Sequence, residues 1–236
     1  MPGFTAHQAI VIPVLIYLSI QGLRQVGQAE ETTAVDRLTG PTPHRHMSEF
    51  VLGMMFFWDI PTGLSTPALR DLPMVLHHFG MCGTAALSLG VLSNGTPVVG
   101  YYAPFFFGLI ELSSLPLIVV DIFHPKHKAW HAYLTSDERP SWLARINEVS
   151  RLIFAASFLL LRTICFPYVT VFGVLADVRQ VASLPLDERN GVPNLPLFII
   201  ATFNVLFSCL QLYWGSLLLR QIMKLFRGPS SKSKES

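Results

Sequence analysis

The sequence predicts an all-α protein embedded in a membrane, a polytopic bundle of about six transmembrane helices around a hydrophobic cavity that contains polar groups. Of its 236 residues, 51% are hydrophobic and only 14% are charged, whereas soluble domains usually carry about 25% charged residues. The apolar residues also occur in blocks of the roughly 20 residues that a helix needs to cross a bilayer. A soluble bundle would need polar stripes facing water, and these blocks lack them.

Six apolar blocks are the predicted spans. They comprise residues 9–26, 48–66, 73–92, 98–122, 150–176 and 195–224. The first block lies close to the start of the sequence and has no basic segment before it. We therefore interpret it as a first transmembrane helix rather than as a cleavable signal.

The distribution of Lys and Arg predicts the orientation, because six spans place both termini on the same side. The termini and loops of that side hold ten basic residues: Arg70, Lys126, Lys128, Arg139, Arg145, Arg220, Lys224, Arg227, Lys232 and Lys234. The loops of the other side hold five: Arg24, Arg37, Arg45, Arg179 and Arg189. Since positively charged residues are retained in the cytosol, both termini are predicted to be cytosolic.

The C-terminal tail ends with Lys232 and Lys234 at the fifth and third places from the end. This spacing resembles the dilysine retrieval signal of endoplasmic-reticulum membrane proteins, which a coat protein reads on a cytosolic tail. It predicts residence in the endoplasmic-reticulum membrane and recognition of the tail by a coat protein. The alternative is that the tail is only a solvated polar segment.

Charge and histidine spacing bear on other classes of function. A formal net charge of +2 is too small to indicate nucleic-acid binding. His124, His127 and His131 follow the fourth span, but the sequence lacks the paired histidine boxes of membrane di-iron enzymes. We interpret these histidines as interfacial residues, and the sequence predicts neither a metal nor another cofactor.

Ionisable residues within the spans are candidates for a functional site. They are Glu49, Asp59, His77, His78, Glu111, Arg151 and Arg162. A charged side chain near the bilayer centre costs about 2.5 kcal/mol or more, so it usually faces the protein interior or marks a site. Glu49, Arg151 and His77 lie near span ends and can extend to the headgroups, whereas Glu111 and Arg162 lie near the middle of their spans.

Helical spacing places the polar residues on single faces of four spans. These faces carry His77, Met81, Thr84 and Ser88 in the third span, Glu111 and Ser114 in the fourth, Arg151 and Arg162 in the fifth, and Asn204, Ser208, Gln211 and Gly215 in the sixth. Such stripes either hold helices together by hydrogen bonds of about 0.6–2 kcal/mol each or line a pocket for a polar head group or a proton transfer. Prolines within the spans are expected to bend the helices and open such a pocket. They are Pro13, Pro61, Pro116 and Pro167.

Five short motifs occur along the chain, and their order is informative although none of them is specific on its own. They are Phe56-Phe57-Trp58-Asp59, His77-His78, Glu111-Leu112-Ser113-Ser114, Arg162 with Cys165-Phe166-Pro167, and Leu210-Gln211-Leu212-Tyr213-Trp214. Together they resemble the TLC family of membrane proteins, which includes ceramide synthases and translocon-associated lipid-handling proteins. The resemblance implies a TLC domain at 47–226, after a first helix and loop at 1–46 and before a cytosolic tail at 227–236.

In ceramide synthases, paired histidines and two aspartates of a later span transfer an acyl group from acyl-CoA to a sphingoid base. His77 and His78 match the histidine pair, and Glu111 lies where the first aspartate would be. Ser114 and Leu115 occupy the region of the second carboxylate, so the match to ceramide synthases is incomplete. The Glu-Leu-Ser pattern looks more like the TLC-domain proteins linked to membrane phospholipid composition and lipid homeostasis.

The expected function is lipid handling that influences membrane lipid composition, with membrane lipids as partners and acyl-CoA as a candidate acyl donor. The candidate catalytic residues are His77, His78 and Glu111, and the candidate substrate-binding residues are Asp59, Ser114, Arg162, Asn204 and Gln211. A histidine would act as general base or acyl carrier. The alternative is a non-enzymatic lipid-binding or trafficking protein. A transporter is less well supported, since no inverted repeat is apparent.

Overall fold

The computed structural model describes residues 2–25, 32–137 and 139–226, and the regular secondary structure in these ranges is entirely helical. In chain order the helices are α1 (Pro2–Gln25), α2 (Ala34–Thr39), α3 (45–65), α4 (Leu72–Ser88), α5 (Gly100–Ile122), α6 (Lys128–Thr135), α7 (Ser141–Ala182) and α8 (Asn194–Phe226). Short 3-10 turns at Pro67–Leu69 and Asp187–Arg189 lie in the connections before α4 and α8.

Three of these helices are composite. Helix α3 consists of Arg45–Met54, a π-helical stretch at Met55–Asp59, and Ile60–Ser65. Helix α5 consists of 3-10 and α-helical parts at Gly100–Tyr102, Ala103–Phe106, Leu109–Ser113 and Ser114–Ile122. Helix α7 consists of Ser141–Ser157, Phe166–Val169 and Leu175–Ala182, separated by π-helical stretches at Phe158–Cys165 and Thr170–Val174.

Among the described residues, four helices are long and apolar enough to cross a membrane, so the predicted number of six spans is not confirmed. They are Gly3–Gln25, Gly100–Ile122, Ser141–Ala182 and Asn194–Lys224. Helix α4 has 17 residues, which span about 26 Å at 1.5 Å per residue, less than the hydrocarbon thickness of about 30 Å. Helix α3 carries Arg45, Glu49 and Asp59 within 21 residues, which lowers its mean hydropathy. The sequence predicted both segments as spans from their apolar residues.

The fifth predicted span, 150–176, proves to be the middle of a much longer helix. Helix α7 has 42 residues, or about 63 Å at 1.5 Å per residue. Its first turns contain polar residues such as Glu148 and the buried Asn147. A search for apolar blocks stops where the side chains become polar, although the backbone continues as a helix.

Contacts among helix ends and loops define two ends of the bundle. At the end that holds the start of α1, the Phe4 ring stacks on His127 with ring centroids 3.9 Å apart. A methyl group at Gly3 would lie 3.7 Å from Thr66 Cγ2. We call this the N-terminal end. The chain runs between it and the opposite end in α1, α3, α4, α5, α7 and α8.

The opposite end is held by polar contacts between α2 and its neighbours. Arg37 donates from Nε and Nη2 to the two Asp177 carboxylate oxygens at 2.8 and 2.5 Å. Tyr102 donates its hydroxyl to the same carboxylate at 2.6 Å. The paired carboxylate raises the pKa of Arg37 above its usual value, because it stabilises the charged guanidinium. A two-point contact of this kind fixes orientation as well as distance, so α2 is anchored to α5 and α7.

Small residues bring the helices of the core close together. Gly22 of α1 lies against Gly108 of α5 so closely that a methyl group at Gly22 would be 2.7 Å from Gly108 Cα. Glycine at such a crossing lets two backbones approach, as is common in membrane helix packing. This contact places the first helix directly against the part of α5 that carries Glu111. Large buried side chains fill the surrounding core: Leu38, Met47, Leu87, Phe107, Ile110 and Leu197.

Two π-helical stretches precede prolines and carry buried charged residues. The stretch Met55–Asp59 is followed by Pro61, and Phe158–Cys165 is followed by Pro167. Proline lacks the N–H that would bond the carbonyl four residues earlier, so the regular pattern fails there. The bending predicted from these prolines takes the form of a widened turn, and π turns of this kind often occur at functional sites. Asp59 lies in the first stretch and Arg162 in the second.

Candidate functional site

A cavity of about 400 Å³ lies among α1, α3, α4, α5, α7 and α8. Most of its wall is apolar, with side chains such as Val14, Met81 and Phe158. Its polar lining residues are His7, Asp59, His77, His78, Glu111, Ser114, Arg162 and Gln221. A largely apolar cavity with a few convergent polar groups is the usual form of a small-molecule binding site.

Glu111, Ser113, Ser114 and Arg162 form one hydrogen-bonded group, which we call the polar centre. Arg162 donates from Nε to Ser113 Oγ at 2.7 Å and from Nη2 to Ser114 Oγ at 2.8 Å. The same Nη2 lies 3.2 Å from Glu111 Oε2. The Ser114 hydroxyl donates to that carboxylate oxygen at 2.6 Å. The structure thus brings together Glu111, Ser114 and Arg162, as the sequence had suggested for Glu111 and Arg162.

The polar centre is withdrawn from the surface, with side-chain exposures of 8% for Arg162 and 13% for Glu111. A buried charge is tolerated when an opposite charge and hydrogen bonds replace its water. Both serine hydroxyls serve this purpose: each accepts from Arg162 and donates onward, Ser113 to the Ile110 carbonyl at 2.8 Å. Within the described residues, Arg162 Nη1 makes no hydrogen bond, so this donor is free for a ligand.

The histidine pair lies on the cavity wall but is not hydrogen-bonded to the polar centre. The Nδ1 atoms of His77 and His78 are both buried and have no hydrogen-bond partner in the described part of the chain. His77 packs edge-on against Phe207 and Trp214, with ring centroids 5.2 and 5.9 Å away. Buried polar atoms are nearly always satisfied by protein or water. The two nitrogens are therefore buried polar atoms that need a partner, on side chains that line the cavity.

Asp59 and His7 form a further polar pair at the cavity. The sequence proposed Asp59 but not His7, which lies near the N-terminus, where a polar residue is easily attributed to the water interface. His7 Nε2 is 3.9 Å from Asp59 Oδ1, with side-chain exposures of 12% and 9%. Helix α1 is apolar on most of its surface, and a search restricted to polar stripes passes over it.

Two of the candidate substrate-binding residues lie away from the cavity. Asn204 is buried and donates to the Ile200 carbonyl of its own helix at 3.0 Å. Gln211 is fully buried, and its amide atoms have no hydrogen-bond partner among the described residues. Neither residue lines the cavity. Ser208, on the same face, hydrogen-bonds Thr170 of α7 at 3.1 Å, so this stripe packs α8 on α7.

Other ionisable residues of the predicted spans are placed at the surface. Glu49 forms an ion pair with Arg45 at 2.8 Å, and both side chains are more than half exposed. Arg151 is exposed. The structure therefore separates these groups from the cavity, as their positions near span ends predicted. The tail lysines, Lys232 and Lys234, lie outside the described residues, and their role in retrieval stays a prediction.

The loop histidines have different environments from one another. His127 is almost fully buried, 3.8 Å from Asp121 Oδ2. His131 Nδ1 lies 3.1 Å from the Phe123 carbonyl, and His124 Nδ1 accepts from the Lys126 N–H at 3.2 Å. Among the described residues, no group of three or more His, Cys, Asp or Glu side chains is placed to hold a metal ion.

Comparison with known proteins identifies the class to which this fold and cavity belong. The family model of the TLC domain matches residues 36–220, which is most of the chain. The chain therefore belongs to the TLC-domain family, as its motifs indicated. The match does not distinguish ceramide synthases from other TLC proteins. No curated protein and no solved structure matches the chain.

Proposed function

We propose that this protein binds an acyl lipid in the cavity and thereby influences the lipid composition of its membrane. The observation that carries this proposal is an apolar cavity of about 400 Å³ with the Glu111–Arg162 ion pair in its wall. The apolar lining suits a hydrocarbon chain, since burial of apolar surface is favourable at about 25 cal/mol per Å². The TLC-domain match supports a lipid-related role.

The polar centre suits the carbonyl or head group of such a lipid. Arg162 has one nitrogen without a hydrogen bond among the described residues, and Glu111 neutralises its charge. Because the charges of this ion pair cancel, it favours an uncharged acceptor, such as an ester carbonyl, over an anionic ligand.

The proposal includes a membrane arrangement. All six helices that run between the two ends of the bundle would cross the bilayer of the endoplasmic reticulum. Both termini would lie in the cytosol, as the distribution of Lys and Arg predicts. The cavity would then open near the cytosolic leaflet, because His7 and Gln221 line it from the helix ends near the termini. Local thinning of the bilayer or snorkelling of flanking residues would accommodate the short helix α4.

Filling the cavity tests the binding function. Val11 of α1 lines the cavity, whereas its neighbour Ile10 is 40% exposed and does not. We expect cells that lack the protein to show an altered lipid profile by untargeted lipidomics. Wild type and Ile10→Trp should restore the profile, and Val11→Trp should not, because its indole occupies the space of the lipid. Rescue by Val11→Trp at normal protein level would refute the proposal.

Acyl transfer is a second candidate function, favoured by the two unpartnered Nδ1 atoms at the cavity wall. One imidazole would take the proton of a lipid hydroxyl or amine, and the freed oxygen or nitrogen would attack the thioester carbonyl of acyl-CoA. The carbon–sulfur bond would break, and the CoA thiolate would leave with that proton. A positioned base of this kind contributes about 10²–10⁴-fold to a rate. Arg162 would donate to the carbonyl oxygen, and Glu111 would offset the charge of Arg162.

The Glu-Leu-Ser sequence at 111–113 leads us to propose that the protein belongs with the lipid-homeostasis members of the family rather than with ceramide synthases.

An assay with purified protein, labelled acyl-CoA and a panel of lipid acceptors distinguishes acyl transfer from lipid binding. An enzyme transfers label, and His78→Ala abolishes the transfer. A binding protein transfers none to any acceptor, and His78→Ala still rescues the lipid profile of cells.

A further inference from the structure

We infer that α1 contributes a second polar subsite to the cavity, in which His7 and Asp59 bind a hydrogen-bond donor of the lipid, namely a hydroxyl or amine group. This inference rests on the proposed lipid-binding function and specifies which chemical group of the ligand the cavity recognises. It is carried by the buried Asp59 side chain, which has no hydrogen bond among the described residues, and by the tautomer that the contacts of His7 favour.

Asp59 is an unpartnered acidic side chain in the cavity wall. It is 7% exposed and lines the cavity. Within the described residues its carboxyl group makes no hydrogen bond, and His7 Nε2 lies 3.9 Å from its Oδ1. That separation is too long for a direct hydrogen bond. The oxygens of a carboxyl group accept hydrogen bonds in either protonation state, and an unpaired buried polar group is costly, so a donor is expected from outside the protein chain.

The surroundings of His7 fix which ring nitrogen can accept. The Thr62 hydroxyl donates its only hydrogen to the Trp58 carbonyl at 2.6 Å. Its oxygen also lies 3.4 Å from His7 Nδ1. With its hydrogen used, the hydroxyl can only accept there, which favours the neutral tautomer with the proton on Nδ1 and a lone pair on Nε2. The subsite thus offers two acceptors, His7 Nε2 and an Asp59 oxygen, facing one another.

The charges around the subsite select the ligand group. Two hydrogen-bond acceptors favour a ligand group that donates over a phosphate or carboxylate, which can only accept. Arg162 does not satisfy them, because its hydrogen bonds go to Ser113, Ser114 and Glu111. The cavity therefore has a donor site at Arg162 and an acceptor site at His7 and Asp59. A lipid with a carbonyl and a nearby hydroxyl or amine satisfies both.

The first helix is part of this site although the TLC match begins only at residue 36. Besides His7, α1 supplies Val11, Val14 and Leu15 to the cavity wall. Its position is set by the close contact of Gly22 with Gly108. Helix α1 therefore determines which lipid group is accepted as well as anchoring the chain.

Binding to a matched set of lipids tests the inference. The full-length protein in nanodiscs is loaded with a pyrene-labelled fatty acyl probe, which is then displaced by C16 monoacylglycerol, its dimethyl ether, hexadecylamine or palmitate. For the wild type we expect the diol or the amine to bind about tenfold tighter than the ether, as one hydrogen bond to a charged group provides. The two compounds distinguish a hydroxyl ligand from an amine ligand.

Variants assign the preference to the subsite. In His7→Leu and in the nearly isosteric Asp59→Asn, the preference should fall to about twofold or less, with pyrene-probe binding retained. Gln8→Leu, at a buried neighbour that does not line the cavity, should keep it. Equal wild-type binding of diol, amine and ether, or an unchanged preference in either variant, would overturn the inference. Absence of binding of every acyl compound to the wild type would instead overturn the proposed function.

Discussion

Arg162 illustrates how a single charged residue is accommodated inside this bundle. Its guanidinium is held by two serine hydroxyls and by Glu111, all on α5. The cost of removing two charges from water is therefore offset by the partners that Arg162 Nε and Nη2 find on α5. Removing one member would leave the other charge buried without compensation, which is the more damaging change.

We predict that Arg162→Gln lowers the free energy of unfolding by about 3 kcal/mol, because Glu111 then remains buried without its cation. Thermal and denaturant unfolding in detergent measure the effect. The double variant Glu111→Gln/Arg162→Gln carries neither charge and should recover at least half of the loss. Arg151→Gln, at an exposed site of the same helix, should have little effect. If the double variant is less stable than Arg162→Gln, the ion pair is not the cause.

The sequence identified Glu111 and Arg162 because both lie far from span ends, where an ionisable residue has a high cost. The same reasoning could not separate Asn204 and Gln211 from the site, since helical spacing gives a face but not the neighbour it packs against. It also missed His7, whose position near the N-terminus resembles an ordinary interfacial residue. Assigning these residues requires knowing which helices adjoin, and this information lies in long-range packing.

At the scale of helices, the contact between α1 and α5 depends on the absence of a side chain at Gly22. We predict that Gly22→Ala costs about 1–3 kcal/mol of unfolding free energy, as overpacking a tight contact does. Its added methyl group would meet Gly108 Cα at 2.7 Å. The matched control is Gly53→Ala in α3, where a methyl group would have no neighbour within 4 Å. Alanine's higher helix propensity should make that variant neutral or slightly more stable. Equal unfolding midpoints for the two variants would contradict the prediction.

The start of α1 is held at the N-terminal end by the Phe4–His127 stack. Burial lowers the pKa of His127, as do Lys126 and His124, while Asp121 opposes the shift. A folded-state pKa below the unfolded value means that the undocked state binds more protons. The stabilisation from docking is therefore present above about pH 6.5 and is lost as the pH falls below it.

We predict faster hydrogen exchange in the first turns of α1 at pH 5.5 than at pH 7.5, after correction for intrinsic exchange rates. His127→Gln should remove this pH dependence, because its amide does not titrate. This comparison also separates His127 from His7, which lies in the exchanging segment itself. If His127→Gln shows the same acceleration as the wild type, another group is responsible.

The composite helices have a feature that helical periodicity of the sequence does not predict, namely the form of their bends. Proline positions predicted bending of α3 and α7 but not the π-helical form of the bends at Met55–Asp59 and Phe158–Cys165. A π turn adds a residue to the turn and so changes which side chains share a face. Arg151 and Arg162, eleven residues apart on one predicted face, prove to be exposed and buried respectively.

At the scale of the whole molecule, the long helices follow one another in the order that the sequence predicts. Length and composition alone do not determine how many of these helices cross the membrane. The connection between α3 and α4 lies at the N-terminal end, since Gly3 approaches Thr66. The connection between α4 and α5 lies at the opposite end, where Thr96 donates to the Asn190 carbonyl at 3.3 Å. If α3 and α4 cross the bilayer, these two connections lie on opposite sides of it.

Single-cysteine labelling in sealed microsomes tests this topology and its orientation. Cys82, Cys165 and Cys209 are first replaced by serine or alanine, and one cysteine is then introduced at an exposed connection. We predict that Arg70→Cys and Ser141→Cys react with a membrane-impermeant maleimide from the cytosolic side. Asn94→Cys and Ser183→Cys should react only after permeabilisation.

The physical reason for this outcome is that the basic residues of the N-terminal end, among them Arg70, Lys126 and Arg145, resist translocation. Each result then discriminates between arrangements. Reversal of the labelling result at all four positions would show that the orientation is opposite to the predicted one, although six helices still cross. Labelling of Arg70→Cys and Asn94→Cys from the same side would show that α4 does not cross. In that case fewer than six helices cross the membrane.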